Sequence, residues 1–149
     1  ECMRRNMDPK CVVNEHIFIN PKPLHLTDEE VNNIYNACDV GMNTCCGEGF
    51  GLTTMEHLYF NRPQIVSGVP ALKETLSGRA HIVKPIVWTT VSAFESHSGD
   101  IAYFDHNDFT KYLNYCFENQ NSIPDGRNHV KNNYSWENVF KVLDLYFRK

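Results

Sequence analysis

Hydrophobic and polar residues along this chain follow two rhythms, and each change of rhythm marks an element. Val31, Ile34, Tyr35 and Cys38 fall at helical spacing, which predicts an amphipathic helix. Its start is written in Thr27-Asp28-Glu29-Glu30, a capping box with Thr27 as N-cap and Glu30 reaching back. These acids therefore have a structural task, and catalysis is not assigned to them. A short apolar run from Val40 to Cys45 follows and reads as a strand. Helix-compatible sequence resumes over Thr54 to Tyr59 and is stopped by Asn61-Arg62-Pro63; Gln64-Ile65-Val66-Ser67 then reads as a buried strand. Gly68 to Glu74 opens another helix, and Ala80-His81-Ile82-Val83 is a further strand.

Beyond Val83 the rhythm weakens. Lys84 to Asp100 reads as a long irregular segment carrying Trp88, Thr89-Thr90, His97 and Gly99, and a loop of that length is usually functional or mobile. Trp88 either packs across a site or covers a sheet edge, and His97 and His106 read as solvated. Ile101 to Phe104 is a short extended segment. Asn107 or Asp108 then caps a helix whose face is Phe109, Tyr112, Leu113, Cys116 and Phe117. Ser122 to Gly126 breaks it, Asp125 to Asn133 suggests a short helix, and Ser135 caps the last one. That helix carries Trp136, Val139, Phe140, Leu143 and Phe147 at helical spacing, a stripe that reads as core. At the other end, Cys2 to Met7 reads as a helix end, Asp8-Pro9 as a turn and His16 to Ile19 as a strand. Asn20-Pro21-Lys22-Pro23 is a proline-fixed loop. Strands alternating with helices predict an α/β domain with a mostly parallel sheet.

A length of 149 residues allows one domain with a sizeable core. The net charge of −4, with Lys and Arg scattered, gives no support for nucleic-acid binding. No apolar run approaches the roughly 18 residues that cross a bilayer, and no signal peptide heads the chain. The chain begins with Glu1, which suggests a fragment or a processed product. Its six cysteines show no C-x2-C pair and no histidine at zinc-finger spacing. Free thiols in a reducing, cytoplasmic setting are expected, with Cys38 and Cys45 in core positions and Cys45-Cys46 either small wall residues or, beside the glycine-rich stretch, reactive thiols.

The chemistry concentrates in Gly47-Glu48-Gly49-Phe50-Gly51-Leu52-Thr53-Thr54-Met55-Glu56. A strand, a glycine turn and a helix start make an anion site, because free amides and the helix dipole favour a phosphate there. Gly49 and Gly51 let the backbone turn sharply and approach a ligand. Carboxylates do not bind phosphate; they accept hydrogen bonds from hydroxyls. Glu48 stands before the turn, and Glu56 lies about 6 Å along the helix if it starts near Leu52. Acceptor, amide cradle, acceptor is the layout that a sugar–diphosphate–ribose ligand requires. Two glutamates around a glycine turn also suit a capping acid and a solvated helix face.

Glu48 and Glu56, separated by seven residues with Gly-Phe-Gly-Leu between, resemble the E-x7-E signature of retaining glycosyltransferases of the GT-B fold, family 4. The resemblance extends over roughly residues 16 to 148 and is similar in detail to enzymes of large algal viruses. Leu26 to Val40 resembles the family's helix-then-strand entry, Arg62 to Ser67 its next strand, and Tyr134 to Glu137 its closing helix. The fold implied is a Rossmann-like, incomplete C-terminal half of GT-B, closed by helices over about 107–148. The activity implied is hexosyl transfer from a UDP- or GDP-linked sugar with retention, without metal or other cofactor. In that reading Glu48 holds the donor sugar and is the catalytic position. The backbone at Gly49, Phe50, Gly51, Leu52 and Thr53 meets the diphosphate, and Glu56 takes the ribose. Asn20, Pro21 and Lys22 lie beside the base. The departing phosphate serves as base in a front-face displacement. Pro70-Ala71 departs from the family's Gly-Gly pair. Glu74 matches a recurrent family acid, although a first-turn glutamate also satisfies the dipole unaided.

The family's N-terminal acceptor domain has no counterpart here, nor has the βαβ unit that carries its diphosphate Arg and Lys. The isolated chain is therefore expected to be inactive, needing that domain or a partner chain. A non-catalytic nucleotide-sugar-binding module remains the alternative. An unrelated Rossmann-type nucleotide binder lacks support, since no G-x-G-x-x-G follows a first strand.

Overall fold

The computed structural model describes residues 26–76, 78–93, 97–119 and 125–148. The expected strand His16 to Ile19, the loop Asn20-Pro21-Lys22-Pro23 and the helix end near the N-terminus lie outside these residues. The chain divides into two compact units, Glu1–Asn32 and Asn33–Lys149.

Of the first unit, Leu26 to Asn32 is described, and it holds the capping box. The Thr27 amide donates to Glu30 Oε2 at 2.8 Å, and the Glu30 amide donates to Thr27 Oγ1 at 3.3 Å. This start opens α1 (Asp28–Ala37), which ends in the second unit. The apolar face expected of α1 is only partly used. Val31 and Tyr35 are half-buried, whereas Ile34 is exposed and Cys38, expected in the core, is exposed.

The second unit is built on a three-stranded parallel sheet. It contains β1 (Gly41–Asn43), β2 (Gln64–Ser67) and β3 (His81–Val83), in the order β1-β2-β3. Gly41 pairs with Gln64, and Ile65 pairs with His81. Two helices make the crossovers, α2 (Leu52–Tyr59) and α3 (Pro70–Leu76). All four residues of β2 are buried, as expected for a strand covered on both faces. Successive side chains of a strand point to opposite faces, and the packing divides accordingly. Val66 joins Met55, Leu58, Val69, Leu72 and Leu76 on one side. Ile65 joins Val83, Phe109 and Cys116 on the other. The second set includes α4 (His106–Glu118), whose cap is Asp105. Asn107 and Asp108 were the expected caps, but Asp105 is extended at φ −77, ψ 121 and accepts the Asn107 amide at 2.9 Å. Phe117, expected on the buried face of α4, is exposed.

The segment expected to be irregular is a hairpin. β4 (Val87–Ala93) pairs antiparallel with β5 (His97–Tyr103), in register from Val87–Tyr103 to Ala93–His97. No two-residue glycine turn announces it. Its pairing is secured across the strands, where Thr90 Oγ1 donates to Asp100 Oδ1 at 2.7 Å. The hairpin is tied to the glycine-rich loop by the Ala102 amide, which donates to the Cys46 carbonyl at 3.1 Å.

Two further helices close the chain, α5 (Gly126–Tyr134) and α6 (Trp136–Phe147). Asp125 caps α5 through the Asn128 amide, and Ser135 caps α6 through the Asn138 amide. Helix α5 packs on α2 because Gly126 is bare: a Cβ there would strike the Leu58 carbonyl and lie 2.6 Å from Leu58 Cδ1. Helix α6 departs from expectation. None of its residues is buried, and Trp136, Phe140, Leu143 and Phe147 are exposed. The chain is thus mixed α/β, with a parallel sheet and flanking helices compatible with a Rossmann-like fold. Among the described residues no helix is long and apolar enough to cross a membrane.

Candidate functional site

The glycine-rich stretch joins the end of β1 to the start of α2. Gly51 is the residue just before the helix, at φ 84, ψ 48, in the left-handed region that favours glycine. Space makes the same demand, since a Cβ at Gly51 would lie 2.5 Å from Leu72 Cδ2. Gly49, expected to share this task, has nothing among the described residues within 4 Å of where its Cβ would be, and no positive φ. The helical ladder begins with the Met55 amide donating to the Gly51 carbonyl at 3.0 Å. The amides of Leu52, Thr53 and Thr54 precede that first rung and present the positive end of the dipole.

The two carboxylates sit on either side of this turn, and both are exposed. Glu48 Oε1 accepts the amide of its neighbour Gly49 at 3.0 Å. The Glu48 Cγ also comes within 3.8 Å of where a Gly51 Cβ would stand, so the acid is folded back against the turn. Glu56 Oε2 accepts the Tyr35 hydroxyl at 2.8 Å. Burial, this hydrogen bond and the Glu56 charge together push the Tyr35 hydroxyl up to about 12. Phe50 is half-buried, and its ring meets Tyr134 edge-on at 5.3 Å, which anchors the loop to α5. Leu52 and Thr53 are exposed at the helix start.

A polar groove of about 420 Å³ is lined by β1, the Thr44-Cys45 stretch that follows it, Thr53, Thr54 and His57 of α2, Gln64 of β2, and Tyr35. Asn43 braces it from the strand. Its side-chain oxygen accepts the Cys45 amide at 3.1 Å, and its Nδ2 donates to Thr54 Oγ1 at 3.1 Å. The loop and the helix are therefore held by one side chain. At the groove floor His57 is 5% exposed. Its Nδ1 lies 3.2 Å from Gln64 Nε2, and its ring stacks on Tyr35 at 5.3 Å. Gln64 Nε2 also donates to the Arg62 carbonyl at 3.0 Å. Among the described residues none makes a well-directed hydrogen bond to His57 Nε2. Burial lowers the His57 pKa; the carbonyls of Cys38 and Tyr35 oppose the shift and the Arg62 charge adds to it. His57 is thus a neutral imidazole at pH 7. Gly41 must be glycine, because any Cβ would strike both Gln64 Oε1 and His57 Nδ1. Cys45 is half-buried, and its thiol is pushed up first by burial and then by the Glu48 charge, which keeps it protonated.

The structure brings Glu48, Gly49, Phe50, Gly51, Leu52, Thr53 and Glu56 into one turn and the helix after it. Asn20, Pro21 and Lys22 lie outside the described residues. Sequence reasoning missed Tyr35, Asn43, His57 and Gln64. One signal was available: a tyrosine in an apolar stripe needs a partner for its hydroxyl when it is partly buried. Among the described residues no cluster of three or more His, Cys, Asp or Glu could hold a metal ion. No known protein-family model matches the chain, and no curated protein matches it.

Proposed function

We propose that this chain is the donor-binding part of a retaining, GT-B-type glycosyltransferase. In this reading it acts in the cytoplasm on a UDP- or GDP-linked sugar and is completed by an acceptor-binding half in the same or another chain. The observation that carries the reading is the entry to α2. A left-handed Gly51 leads straight into the first turn of α2, with one exposed carboxylate before the turn and one after it. Glu56 already accepts a hydroxyl on Oε2, and a carboxylate has lone pairs for more than one donor. A ribose hydroxyl would therefore join Tyr35 on the same acid or displace it. Glu48 would exchange its bond with the Gly49 amide for hydroxyls of the donor sugar. The first-turn amides stabilise charge building on the leaving diphosphate without reorganising.

Calorimetric titration of the chain with UDP and GDP tests this. Binding of one nucleotide is expected, weakened by Glu56→Gln roughly 10- to 100-fold, in line with a lost hydrogen bond to a charged group of about 1.5–3 kcal/mol. Glu48→Gln should leave nucleotide affinity near wild type and lower turnover in the two-domain enzyme. Failure of either nucleotide to bind at millimolar concentration, or identical affinities for wild type and Glu56→Gln, would sink the reading.

A further inference from the structure

Helix α6 carries a second pattern beside its apolar stripe. Trp136, Phe140, Leu143 and Phe147 stand at i, i+4, i+7 and i+11, and each is followed directly by a charged residue: Glu137, Lys141, Asp144 and Arg148. At 100° per residue the four charges form one row along one flank of the stripe. Their signs run minus, plus, minus, plus. Read backwards, the row is its own complement.

The stripe faces away from the rest of the described chain. Helix α6 is tied to α5 from its other side, where Asn138 Nδ2 donates to the carbonyls of Lys131 and Asn132 at 3.2 and 2.7 Å. Asn138 and Val139 are its half-buried residues; Trp136 is 75% exposed and Phe147 83%. A surface depression runs along the stripe between Phe140, Leu143 and Phe147 and the acids Glu137 and Asp144. The contacts already made by the charged row, such as Arg148 to Asp144 at 2.7 Å, lie within the helix and are exposed. They leave the row open to a partner.

We propose that α6 is a self-association face, on which a second copy of this chain docks with its own α6 antiparallel. A two-fold axis between Val142 and Leu143 sets Glu137 level with the partner's Arg148, and Lys141 level with the partner's Asp144. In an antiparallel pair equal flanks meet, so every charge finds its opposite while the two stripes close on each other. A parallel pair would set the charged row against the other flank, Val139 and Tyr146, and leave the charges unmatched. The charge pattern therefore selects both the occupant and its direction. The inference is independent of the glycosyltransferase reading and of nucleotide binding.

Sedimentation of the purified chain from about 5 to about 200 µM, the range in which so small an interface assembles, should show a monomer passing to a dimer. Glu137→Lys with Asp144→Lys makes the row wholly cationic, and Lys141→Glu with Arg148→Glu makes it wholly anionic. Each variant alone is expected to dimerise at least tenfold more weakly than wild type, and an equimolar mixture to regain the dimer. Trp136 emission in the wild type gives a second reading that needs no charge variant. It should shift to the blue as concentration rises, and Trp136→Phe should lose that shift. A wild type that stays monomeric throughout assigns the face to another occupant, an acceptor-binding half among them, and overturns the proposal. So would charge variants that self-associate like wild type, or a mixture that stays monomeric.

Discussion

Helices α2 and α6 use apolar residues in opposite ways. Helix α2 has eight residues and buries four, Thr54, Met55, His57 and Leu58. Helix α6 has twelve, eight of them apolar, and buries none. Position relative to the sheet makes the difference. Helix α2 is the crossover between two adjacent parallel strands, so chain connectivity itself presses it onto β2. Helix α6 follows the last crossover, and Asn138 ties it to α5 through the carbonyls of Lys131 and Asn132. Apolar content fixes what a helix can bury; the neighbour it is given fixes what it does bury.

The largest effect expected from this contrast is on stability. Leu58 is fully buried between β2 and α5, so Leu58→Ala should cost about 2–5 kcal/mol in urea unfolding. Phe147→Ala, on the exposed face, should stay within about 0.5 kcal/mol when unfolding is followed at micromolar concentration. Comparable losses for the two variants would break the comparison.

Next comes the turn that leads into α2. Gly51→Ala meets both a left-handed φ of 84 and Leu72 Cδ2 at 2.5 Å, and should destabilise by about 1–3 kcal/mol. Gly47→Ala, with nothing among the described residues within 4 Å of the new Cβ, is the matched control and should be close to neutral. If both alanines cost the same, the demand for glycine is not at Gly51.

The smallest effect separates Tyr35 from an ordinary surface tyrosine. Its hydroxyl is raised from 10.0 to about 12 in the folded chain, by burial first and then by Glu56. The unfolded chain loses this proton near pH 10 while the folded chain keeps it. The associated stability is therefore complete below pH 10 and is lost as pH rises through about 12. Absorbance titration of tyrosinate should show a late component from Tyr35, lost in Tyr35→Phe and shifted down in Glu56→Gln. In Tyr35→Phe the alkaline slope of stability should be shallower. A wild-type titration with no late component would remove Tyr35 from the site.

Several features were legible because their causes are local. The Thr27–Glu30 box, the Ser135 cap and the Gln64–Ser67 strand were all found where expected. Caps satisfy the amides of their own first turn, and an apolar-centred run of four residues between a proline-marked stop and a glycine has few other options. The start of α2 at Leu52, with glycine before it, follows from the φ that the turn requires. Two local readings failed through competition. Three residues in a row of four can cap α4, and Asp105 prevails because it alone stands before the first turn. The 84–100 stretch hid its alternation behind Pro85 and Gly99, and the pairing that makes it a hairpin is set by the partner strand.

By itself, the sequence determined the alternation of helix and strand over residues 26–83, the glycine at position 51 and the two glutamates around it. These depend on backbone preferences within a turn or two. Only the tertiary structure decided that Tyr35 would reach Glu56 across twenty-one residues and that His57 would stack on Tyr35 over Gln64. It alone decided that Cys38 and the stripe of α6 would face outward. Those outcomes depend on which surfaces the packed sheet brings together, and a surface has no preference for a neighbour until the fold supplies one.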